Sequence, residues 1–315
     1  MRLYRLKLRP LSAWMTPWQA DTLFGMLCGM AACYWGAERL HKEILEPALQ
    51  GRPPFVLSDA FPGDLLPVPL ALRTQDWGEA ERKAIKRARW LRSEAFRAVQ
   101  EGRQIAAGEL LPDKAFQTVD RLHNQLSRVT DTTGEGGLFA CAETFLNTGF
   151  AGLAQTPYLS VYVRVADTYR ASLLELFRYL SYRGFGADTT TGKGAFAPPT
   201  ALEPMAWLED AFAGANGVLV LSSYQPAPGD PTEGFWEVFI KYGKVGPEFG
   251  LANVFKRPLV LLRPGACFYS SPERLFVGRA LPMEAFLPAA ECQALRQRGI
   301  TTIHTMFGLA VPMRL

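Results

Sequence analysis

One stretch of the chain decides the fold, residues 158–196, which read YLSVYVRVADTYRASLLELFRYLSYRGFGADTTTGKGAF. Its first eight residues alternate between two sets of side chains, with tyrosines, a serine and an arginine on one face. A period of two is typical of a strand that buries one face, so the pattern predicts a half-buried β-strand. The apolar face consists of Leu159, Val161, Val163 and Val165.

A helix is predicted directly after this strand, because apolar residues recur three or four positions apart. Leu173, Phe177 and Leu180 form the apolar stripe. Asp167 or the threonine after it can cap the start of the helix, and Gly184 stands where a left-handed C-terminal cap belongs.

The glycine loop, residues 184–194, combines glycines, three threonines and one lysine, as phosphate sites often do. A nucleotide-binding P-loop needs G-x-x-x-x-G-K-[ST] between a strand and a helix. Here five residues separate Gly186 from Gly192, and Gly194 takes the place of the Mg²⁺-binding hydroxyl. The loop also follows a helix instead of preceding one, so no helix N-terminus faces a bound phosphate. These departures argue against an ATPase.

Two interpretations of the glycine loop stay open on the sequence alone. Glycines let a backbone approach a ligand closely, and successive N–H groups form anion-binding nests. Together with the hydroxyls and the lysine, this chemistry suits the sugar–phosphate chain of a nucleic acid. The alternative is a long turn of small residues that binds nothing.

The composition is that of a globular protein with room for two domains. The chain has 315 residues, 48% of them hydrophobic, and its 28 glycines and 23 prolines indicate many turns. The net charge of +4 is too small to identify nucleic acid as a partner. No signal peptide opens the chain, and its most apolar segment, residues 23–35, is too short to span a bilayer. Five cysteines without C-x-x-C spacing argue against disulfides and zinc, so we expect a cytoplasmic protein.

Positive charge is concentrated in residues 82–103, which hold eight Lys or Arg and two Glu, a net charge of +6. The segment is either a solvated helical face or a basic arm for phosphates, with Trp90 and Phe96 between the charges. We expect it to lie on the side of the hairpin that follows it.

The order of predicted elements indicates an α+β protein. Residues 2–9 read as a strand, and TPWQADTLFG opens a helix with Thr16 as N-cap, Pro17 as N1 and Gln19 as N3 of a capping box. A strand with a proline-broken return follows at residues 54–70.

Residues 118–139 then read as a protruding hairpin. With the strand and helix of residues 158–183 and a last strand near 195–202, the first unit has β-α-β-β-α-β, or ferredoxin-like, order. A second unit starts near residue 204, with strands at 217–224 and 259–263.

No catalytic motif appears among the residues. The three histidines stand in dissimilar contexts, and His123, in RLHNQLSR, is the one with basic neighbours. It could act as a general base for RNA cleavage, or it could hydrogen-bond a phosphate or the base of the hairpin, which we favour. Asp21, in the first turn of helix one, suits the helix dipole better than a metal site.

Several motifs occur together in an order that resembles a known family. They are YRLKLRP, TPWQADTLFG, FVLSDAFPGD, HNQLSRVTDTTGEGGLF, GFGADTTTGKGAF and LSSYQPAPGDPTEGFWEVFIKYGKVGPEFG. Together they resemble subunit four of the type III-A CRISPR effector, the Csm complex, a RAMP-superfamily protein of the Cas5-like group. Residues 71–117 match least well, and the equivalent subunit of the type III-B (Cmr) complex is the closest competitor.

The resemblance implies two ferredoxin-like (RRM-like) domains, residues 1–203 with an insertion and thumb at about 71–140, and residues 204–315. It implies a non-catalytic subunit of antiviral defence, without cofactor, metal or membrane, that holds the 5′ handle of the crRNA. Its partners would be the large palm-domain subunit and the first backbone RAMP subunit. Its thumb would wedge into the guide–target duplex, near the 3′ flank of the target RNA. The alternative is a metal-independent RNA-processing endoribonuclease of the same superfamily.

The resemblance also identifies candidate site residues. RNA-binding positions would be Arg183, Gly184, Phe185, Gly186, Thr189, Thr190, Thr191, Gly192, Lys193, Gly194, Trp14, Gln19 and Tyr224. The thumb would contain Arg121, His123, Asn124, Arg128, Gly134, Glu135 and Gly136. Splayed bases of single-stranded RNA commonly stack on aromatic rings, and Phe185, Tyr182, Trp14 and Tyr224 are available for this.

Overall fold

The computed structural model describes the backbone of residues 1–315 and the side chains of all of them except 80, 135 and 136. Elements of the first half are β1 (Arg2–Leu8), α1 (Ala20–Trp35), α2 (Ala37–Leu40), α3 (Glu46–Leu49), β2 (Phe55–Pro62), β3 (Leu65–Pro67), α4 (Glu79–Arg87), β4 (Ala88–Arg92), α5 (Ser93–Gln100), β5 (Leu111–Pro112), β6 (Phe116–Leu126), β7 (Thr133–Leu146), β8 (Leu159–Val165), α6 (Arg170–Arg183) and β9 (Leu202–Pro204).

Elements of the second half are α7 (Ala206–Glu209), β10 (Gly217–Val220), β11 (Gly234–Phe235), β12 (Val238–Lys241), β13 (Leu259–Leu262), β14 (Cys267–Tyr269), β15 (Phe276–Pro282), α8 (Met283–Phe286), α9 (Ala289–Gln297) and β16 (Ile303–Met313). A π-helical turn, His41–Leu45, joins α2 to α3. The fold is α+β, with several small antiparallel sheets.

The first sheet has the strand order β2-β8-β1-β9, and all its neighbouring strands are antiparallel. α1 lies between β1 and β2 in the chain, and α6 lies between β8 and β9, so the observed order is β-α-β-β-α-β. The last strand spans Leu202–Pro204, later than the 195–202 that the sequence predicts. Residue Phe196 instead makes an isolated bridge with Pro10.

β8 is buried along its whole length, so the prediction of a half-buried strand is wrong. Arg164 contacts the second half of the chain, where it donates hydrogen bonds to the carbonyl of Ala310 at 3.0 and 3.1 Å and pairs with Glu209 at 2.7 Å. Ser160 instead donates to the carbonyl of Gly63 at 2.6 Å, within the first half. These polar side chains can be buried because each has a hydrogen-bond partner.

The predicted capping box of α1 is also wrong. The helix begins at Ala20, whose N–H donates to a carboxylate oxygen of Asp59 at 2.9 Å. Thr16 lies upstream of the helix, and its hydroxyl accepts a hydrogen bond from the N–H of Ala187 in the glycine loop, at 3.0 Å. The helix cap thus comes from β2, and Thr16 holds the glycine loop instead.

The chain between β2 and β8 forms an insertion with its own small sheet, β3-β4-β5, and a long hairpin, β6-β7. The hairpin pairs from Phe116↔Leu146 at its base to Leu126↔Thr133 near its tip, which confirms the predicted hairpin. The observed hairpin is longer at its base than the predicted range of 118–139. Trp90, in β4, packs edge-to-face on Phe116 with ring centroids 6.1 Å apart. The basic segment therefore lies beside the base of the hairpin.

The second half forms a five-stranded sheet of order β11-β14-β10-β16-β15 and a separate ribbon, β12-β13. The predicted strand 217–224 ends at Val220, and the strand at 259–263 is observed as β13. Strand order and helix placement differ from those of the first sheet, since α8 and α9 both lie between β15 and β16. A second ferredoxin-like unit stays a prediction.

Both halves contribute to one hydrophobic core. The buried cluster that contains Leu6 and Leu27 also contains Leu219, Phe307 and Val311 from the second sheet. Burial of this apolar surface is the main stabilising contribution to the fold. Within the described part of the chain, no helix has the length and apolar character needed to cross a bilayer.

Candidate nucleic-acid interface

The glycine loop has a backbone path that requires its glycines. Gly184, Gly186, Gly192 and Gly194 have φ of 85°, 84°, 82° and 67°, in the region that disfavours other residues. A Cβ atom on Gly194 would lie 1.9 Å from the carbonyl oxygen of Phe185. Close backbone packing thus explains this glycine without any ligand.

Most N–H groups of the glycine loop are satisfied within the protein. The N–H of Phe185 donates to Gly194 at 2.8 Å, and the N–H of Gly194 donates to Ala13 at 2.7 Å. Among the described contacts, the three successive N–H groups of residues 188–190 have no backbone acceptor. The nest that could hold an anion is therefore limited to the tip of the loop.

Three of the four aromatic rings expected to stack on bases are buried, so the stacking prediction is wrong for them. Phe185 is buried and stacks on Trp18 with ring centroids 3.8 Å apart. Trp14 keeps 4% of its surface exposed and Tyr224 keeps 1%. These rings anchor the loop and the core, whereas Tyr182, at 73% exposed, has a free ring face.

Gln19 and Arg183 contact the second half of the chain. The amide of Gln19 donates to the hydroxyl of Ser223 at 3.3 Å. That hydroxyl donates to Asp59 at 2.6 Å, and burial raises the pKa of Asp59 to about 6. Arg183 lies 3.5 Å from a carboxylate oxygen of Glu248 and is partly exposed.

The glycine loop and the hairpin meet at Glu143. The Lys193 ammonium lies 2.5 Å from one carboxylate oxygen of Glu143. The Arg121 guanidinium lies 3.4 Å from the other oxygen, and the His123 ring lies 3.8 Å from the first. Glu143 itself is buried, with 1% of its side chain exposed. One predicted RNA-binding residue, Lys193, and two predicted thumb residues, Arg121 and His123, thus converge on one carboxylate, and we call this set the Glu143 cluster.

The Glu143 cluster consists of an anion, the carboxylate, that is paired with two cations. The hydrogen bond from Lys193, followed by the charge of Arg121, holds the pKa of Glu143 below its usual range, so the carboxylate is ionised at neutral pH. A carboxylate and a phosphate oxygen accept the same charge-assisted hydrogen bonds. A phosphate that replaced the carboxylate would therefore find three donors already in place.

The register of the hairpin divides the remaining thumb residues between two faces. Arg121 and His123 share a face with Glu143, because odd positions of β6 pair with odd positions of β7. Asn124 lies on the opposite face and is exposed. Arg128 and Gly134 are exposed near the tip, while Glu135 and Gly136 lie outside the residues whose side chains are described.

Two residues of this interface escaped the sequence reasoning. Glu143 lies beyond the motif that ends at Phe139, and only the hairpin register brings it opposite Val119 and beside Arg121. Trp18 stands inside TPWQADTLFG, but its stacking on Phe185 follows from tertiary packing. The sequence signal that was available for Glu143 was its negative charge, in a strand whose hairpin partner carries Arg121 and His123.

Asp21 belongs to a second, buried cluster, which we call the Asp21 cluster. Lys241 lies 2.6 Å from one of its oxygens, and His304 lies 3.0 Å from the other. Lys256 donates to the second ring nitrogen of His304 at 2.9 Å. Burial opposes ionisation of Asp21, but the hydrogen bond from His304 and the charge of Lys241 outweigh it and hold its pKa below the usual range.

Comparison with known proteins gives a consistent fold. No protein-family model matches the chain, and no curated protein matches its sequence. A chain of the Csm1–Csm4 cassette in complex with pppApA is 16% identical, with a TM-score of 0.62 over 100% of this chain and 98% of that chain. A chain of the Csm3–Csm4 subcomplex of a type III-A CRISPR-Cas interference complex is 13% identical, with a TM-score of 0.59 and full coverage of both chains.

A chain of the type III-B Cmr-beta complex, bound to cognate target RNA and AMPPnP, is 12% identical, with a TM-score of 0.50 over 84% of this chain and 86% of that chain. The type III-A assemblies give higher scores and cover the whole of this chain, and Csm4 is the subunit that both of them contain. The fold of this chain is therefore that of chains from Csm4-containing type III-A CRISPR assemblies, the family that its sequence motifs resemble.

Proposed function

We propose that the chain is a non-catalytic, crRNA-binding subunit of a type III-A CRISPR effector complex, and that it holds the 5′ handle of the crRNA. The observation that carries this proposal is the Glu143 cluster, where Lys193 of the glycine loop meets Arg121 and His123 of the hairpin. A charged site shared by these two segments is what a protein needs to hold an RNA backbone between them.

Binding at this site would proceed by exchange of anions. In the free chain Glu143 neutralises the cations, so the site is assembled before RNA arrives. An RNA phosphate then takes over Lys193 and Arg121, while the N–H groups of residues 188–190, which have no backbone acceptor among the described contacts, donate to a neighbouring phosphate oxygen. Tyr182, whose ring is exposed, is placed near the loop to stack on a base.

The hairpin is proposed to act as the thumb at the guide–target junction. Several of its large apolar side chains are exposed, among them Leu122 at 68%, Val129 at 94% and Leu138 at 62%. Apolar side chains can wedge between bases, which unstacks them and separates paired strands. This supports a position near the 3′ flank of the target RNA.

Protein partners are proposed to be the large palm-domain subunit and the first backbone RAMP subunit. The ribbon β12-β13 and its flanks carry an apolar strip that is exposed in the isolated chain. Trp236, Val238, Ile240 and Tyr242 share one face, and Val260 lies opposite Ile240. Contiguous apolar residues of this kind mark protein interfaces, so we assign the strip to one of these partners.

The domain assignment of the family is proposed for this chain too. The order β2-β8-β1-β9, with α1 and α6 as its crossovers, supports a ferredoxin-like domain in residues 1–203. Residues 204–315 would be a second, more divergent copy of this domain. The whole chain would be located in the cytoplasm with the rest of the complex.

A binding experiment tests the function. The chain, alone and in the reconstituted complex, is titrated with single-stranded RNA that carries the 5′ handle, using fluorescence anisotropy at several salt concentrations. We expect the Lys193→Ala, Arg183→Ala double variant to bind more weakly, with a salt slope lower by about one per lost phosphate contact. Lys42→Ala, at an exposed lysine in the π-helical turn, is the matched control. Unchanged affinity in the double variant would rule out the glycine loop as the RNA site.

One observation favours the second candidate function, a metal-independent endoribonuclease. His123 stands 3.8 Å from Glu143 beside Lys193 and Arg121, so a general base and two cations occupy one place. Incubation of repeat RNA with the purified chain in the presence of EDTA tests this. Cleavage that disappears in His123→Ala would establish the endoribonuclease, and intact RNA in all samples would eliminate it.

A further inference from the structure

A cavity of about 530 Å³ lies between the base of the hairpin, the segment that precedes α1, and the second half of the chain. Its volume is within the range of about 300–1,000 Å³ that is usual for small-ligand sites. No residue of the glycine loop lines it. Thr144 lines the cavity, whereas its neighbour Glu143 faces the opposite side of β7, so the cavity and the Glu143 cluster lie on the two faces of one strand.

Aromatic rings form a large part of the cavity wall. Trp14 packs edge-to-face on Phe116 at 5.9 Å, and Trp90 packs on the same ring at 6.1 Å. Trp18 and Phe61 complete the aromatic lining. Trp90 and Phe116 are half-buried and nearly perpendicular, so they offer a planar ligand a ring face and a ring edge, whereas Trp14, Trp18 and Phe61 are buried and only border the cavity.

Three arginines, Arg73, Arg89 and Arg263, also line the cavity. Burial, and then the charges of Arg89 and Arg263, lower the pKa of Arg73. Such a group of arginines is suited to a phosphate, to which each can donate two hydrogen bonds.

The carboxylates of the lining are already engaged. Glu237 pairs with Arg73 and lies 4.0 Å from Arg263. Asp113 lies 4.0 Å from Arg89. The third, Asp59, accepts hydrogen bonds from the N–H groups of Ala20 and Ser223 and from the Ser223 hydroxyl. The exposed ion pairs of Arg89 with Asp113 and of Arg263 with Glu237, both at 4.0 Å, are weak. Arg89 and Arg263 therefore remain available to an anion.

Unpaired donors are the third feature of the cavity wall. The Nε1 atoms of Trp18 and Trp90 and the Nε atom of Arg73 are buried and lack an acceptor among the described residues. Buried donors without acceptors are uncommon in proteins and destabilise the fold. All three belong to side chains that line this cavity.

We propose that this cavity binds one nucleotide, with the base among the aromatic rings and the phosphate at Arg73, Arg89 and Arg263. The shared chemistry of a planar base and a phosphate is available from two sources, a nucleotide splayed out of a bound single-stranded RNA or a free mononucleotide. The proposal goes beyond the handle-binding function, because it requires neither the glycine loop nor a partner subunit.

Tryptophan fluorescence of the full chain measures the binding, because three of its seven tryptophans line the cavity. The chain is titrated with AMP, GMP, CMP and UMP, with the corresponding nucleosides, and with a short single-stranded RNA. We expect saturable quenching by at least one nucleotide or by the RNA, and about tenfold weaker binding in the Arg89→Ala, Arg263→Ala variant. Both arginines are exposed, so this variant is expected to fold.

Controls separate this proposal from the proposed function. Arg82→Ala removes an exposed arginine of the same basic segment that does not line the cavity, and it should leave quenching unchanged. Lys193→Ala should leave mononucleotide binding unchanged while it weakens RNA binding. Quenching by mononucleotides identifies a free nucleotide as the ligand, and quenching by RNA alone identifies a splayed base. Quenching by neither, or quenching that is equal in the double-arginine variant and in the wild type, would overturn the proposal.

Discussion

The Glu143 cluster and the Asp21 cluster are built alike, since each holds one ionised carboxylate between a lysine and a histidine. They differ in what surrounds them. The partners of Asp21 are enclosed, with the His304 side chain 5% exposed, whereas Arg121, which pairs with Glu143, is 62% exposed. The lysines of the two clusters are about equally exposed, at 15% for Lys193 and 17% for Lys241, so Arg121 is what gives the Glu143 cluster a cation open to an anion from solution.

This difference teaches how the same ion pair can serve structure or binding. Breaking a buried pair leaves uncompensated charges in the core, which makes the Asp21 cluster a stabilising link between α1, β12 and β16. At the Glu143 cluster a phosphate that binds Lys193 and Arg121 keeps both cations compensated, at the expense of the buried Glu143 carboxylate. Location, and not residue type, therefore decides the role.

The largest expected effect is loss of stability in Asp21→Ala. The change leaves Lys241 and His304 without their carboxylate in the core, and we expect the free energy of unfolding to fall by about 3–5 kcal/mol. Urea denaturation followed by circular dichroism measures this. Asp210→Ala, at an exposed aspartate with an ordinary φ of −69°, is the control and should change little. A variant as stable as the wild type would show that the Asp21 cluster is not a structural link.

The next largest expected effect is a pH dependence of the stability that comes from Lys256. Burial lowers its pKa from 10.5 to about 8, so between these values the unfolded chain binds the proton and the folded chain does not. This group therefore contributes a rise in stability as the pH increases from about 8 to about 10.5, amounting to about 2–3 kcal/mol. Comparison of the wild type with Lys256→Met isolates the contribution from other groups that titrate there. A difference that does not change across this window would contradict the prediction.

Loss of RNA affinity in Lys193→Ala should be smaller, about tenfold, as expected for the loss of one charge-assisted phosphate contact. Its stability should change little, because Arg121 continues to compensate Glu143. Anisotropy and urea denaturation of the same preparation separate the two quantities. A variant that loses stability but retains its affinity would make the Glu143 cluster structural, like the Asp21 cluster.

The smallest expected effect is a gain in RNA affinity. Glu143→Gln removes the carboxylate that competes with RNA, so affinity should rise by up to about fivefold, the value of a modest ion pair. The equivalent change in the other cluster, Asp21→Asn, should not improve binding. Weaker RNA binding by Glu143→Gln would mean that the carboxylate positions the cations and is not displaced by phosphate.

Local patterns predicted many elements well. The strand β1, the end of helix α6 at Gly184, and the hairpin β6-β7 lie where period and turn residues place them. These features depend on neighbours within a few positions, which a sequence displays directly. The predicted start of α6 is wrong, because the helix begins at Arg170 and neither Asp167 nor the threonine after it caps it. The motif set, as a resemblance, also pointed to the fold that the comparisons show.

The wrong predictions concern residues whose partners lie in distant segments of the chain. The polar face of β8 looked exposed until Arg164 met Ala310 and Glu209, and Thr16 looked like a helix cap until it met Ala187. A capping box and a hydroxyl that holds a loop have the same local sequence, and only packing distinguishes them.

By itself, the sequence determined the α+β class, the β-α-β-β-α-β order of the first unit and the glycine loop, because these depend on local periodicity and on backbone geometry that glycine alone allows. Tertiary structure decided which aromatic rings are buried, that Glu143 stands between Lys193 and Arg121, and that three arginines and three tryptophans share a cavity. The physical reason is that burial and charge pairing depend on positions in space, and the fold brings together residues that are tens to more than a hundred positions apart in the chain.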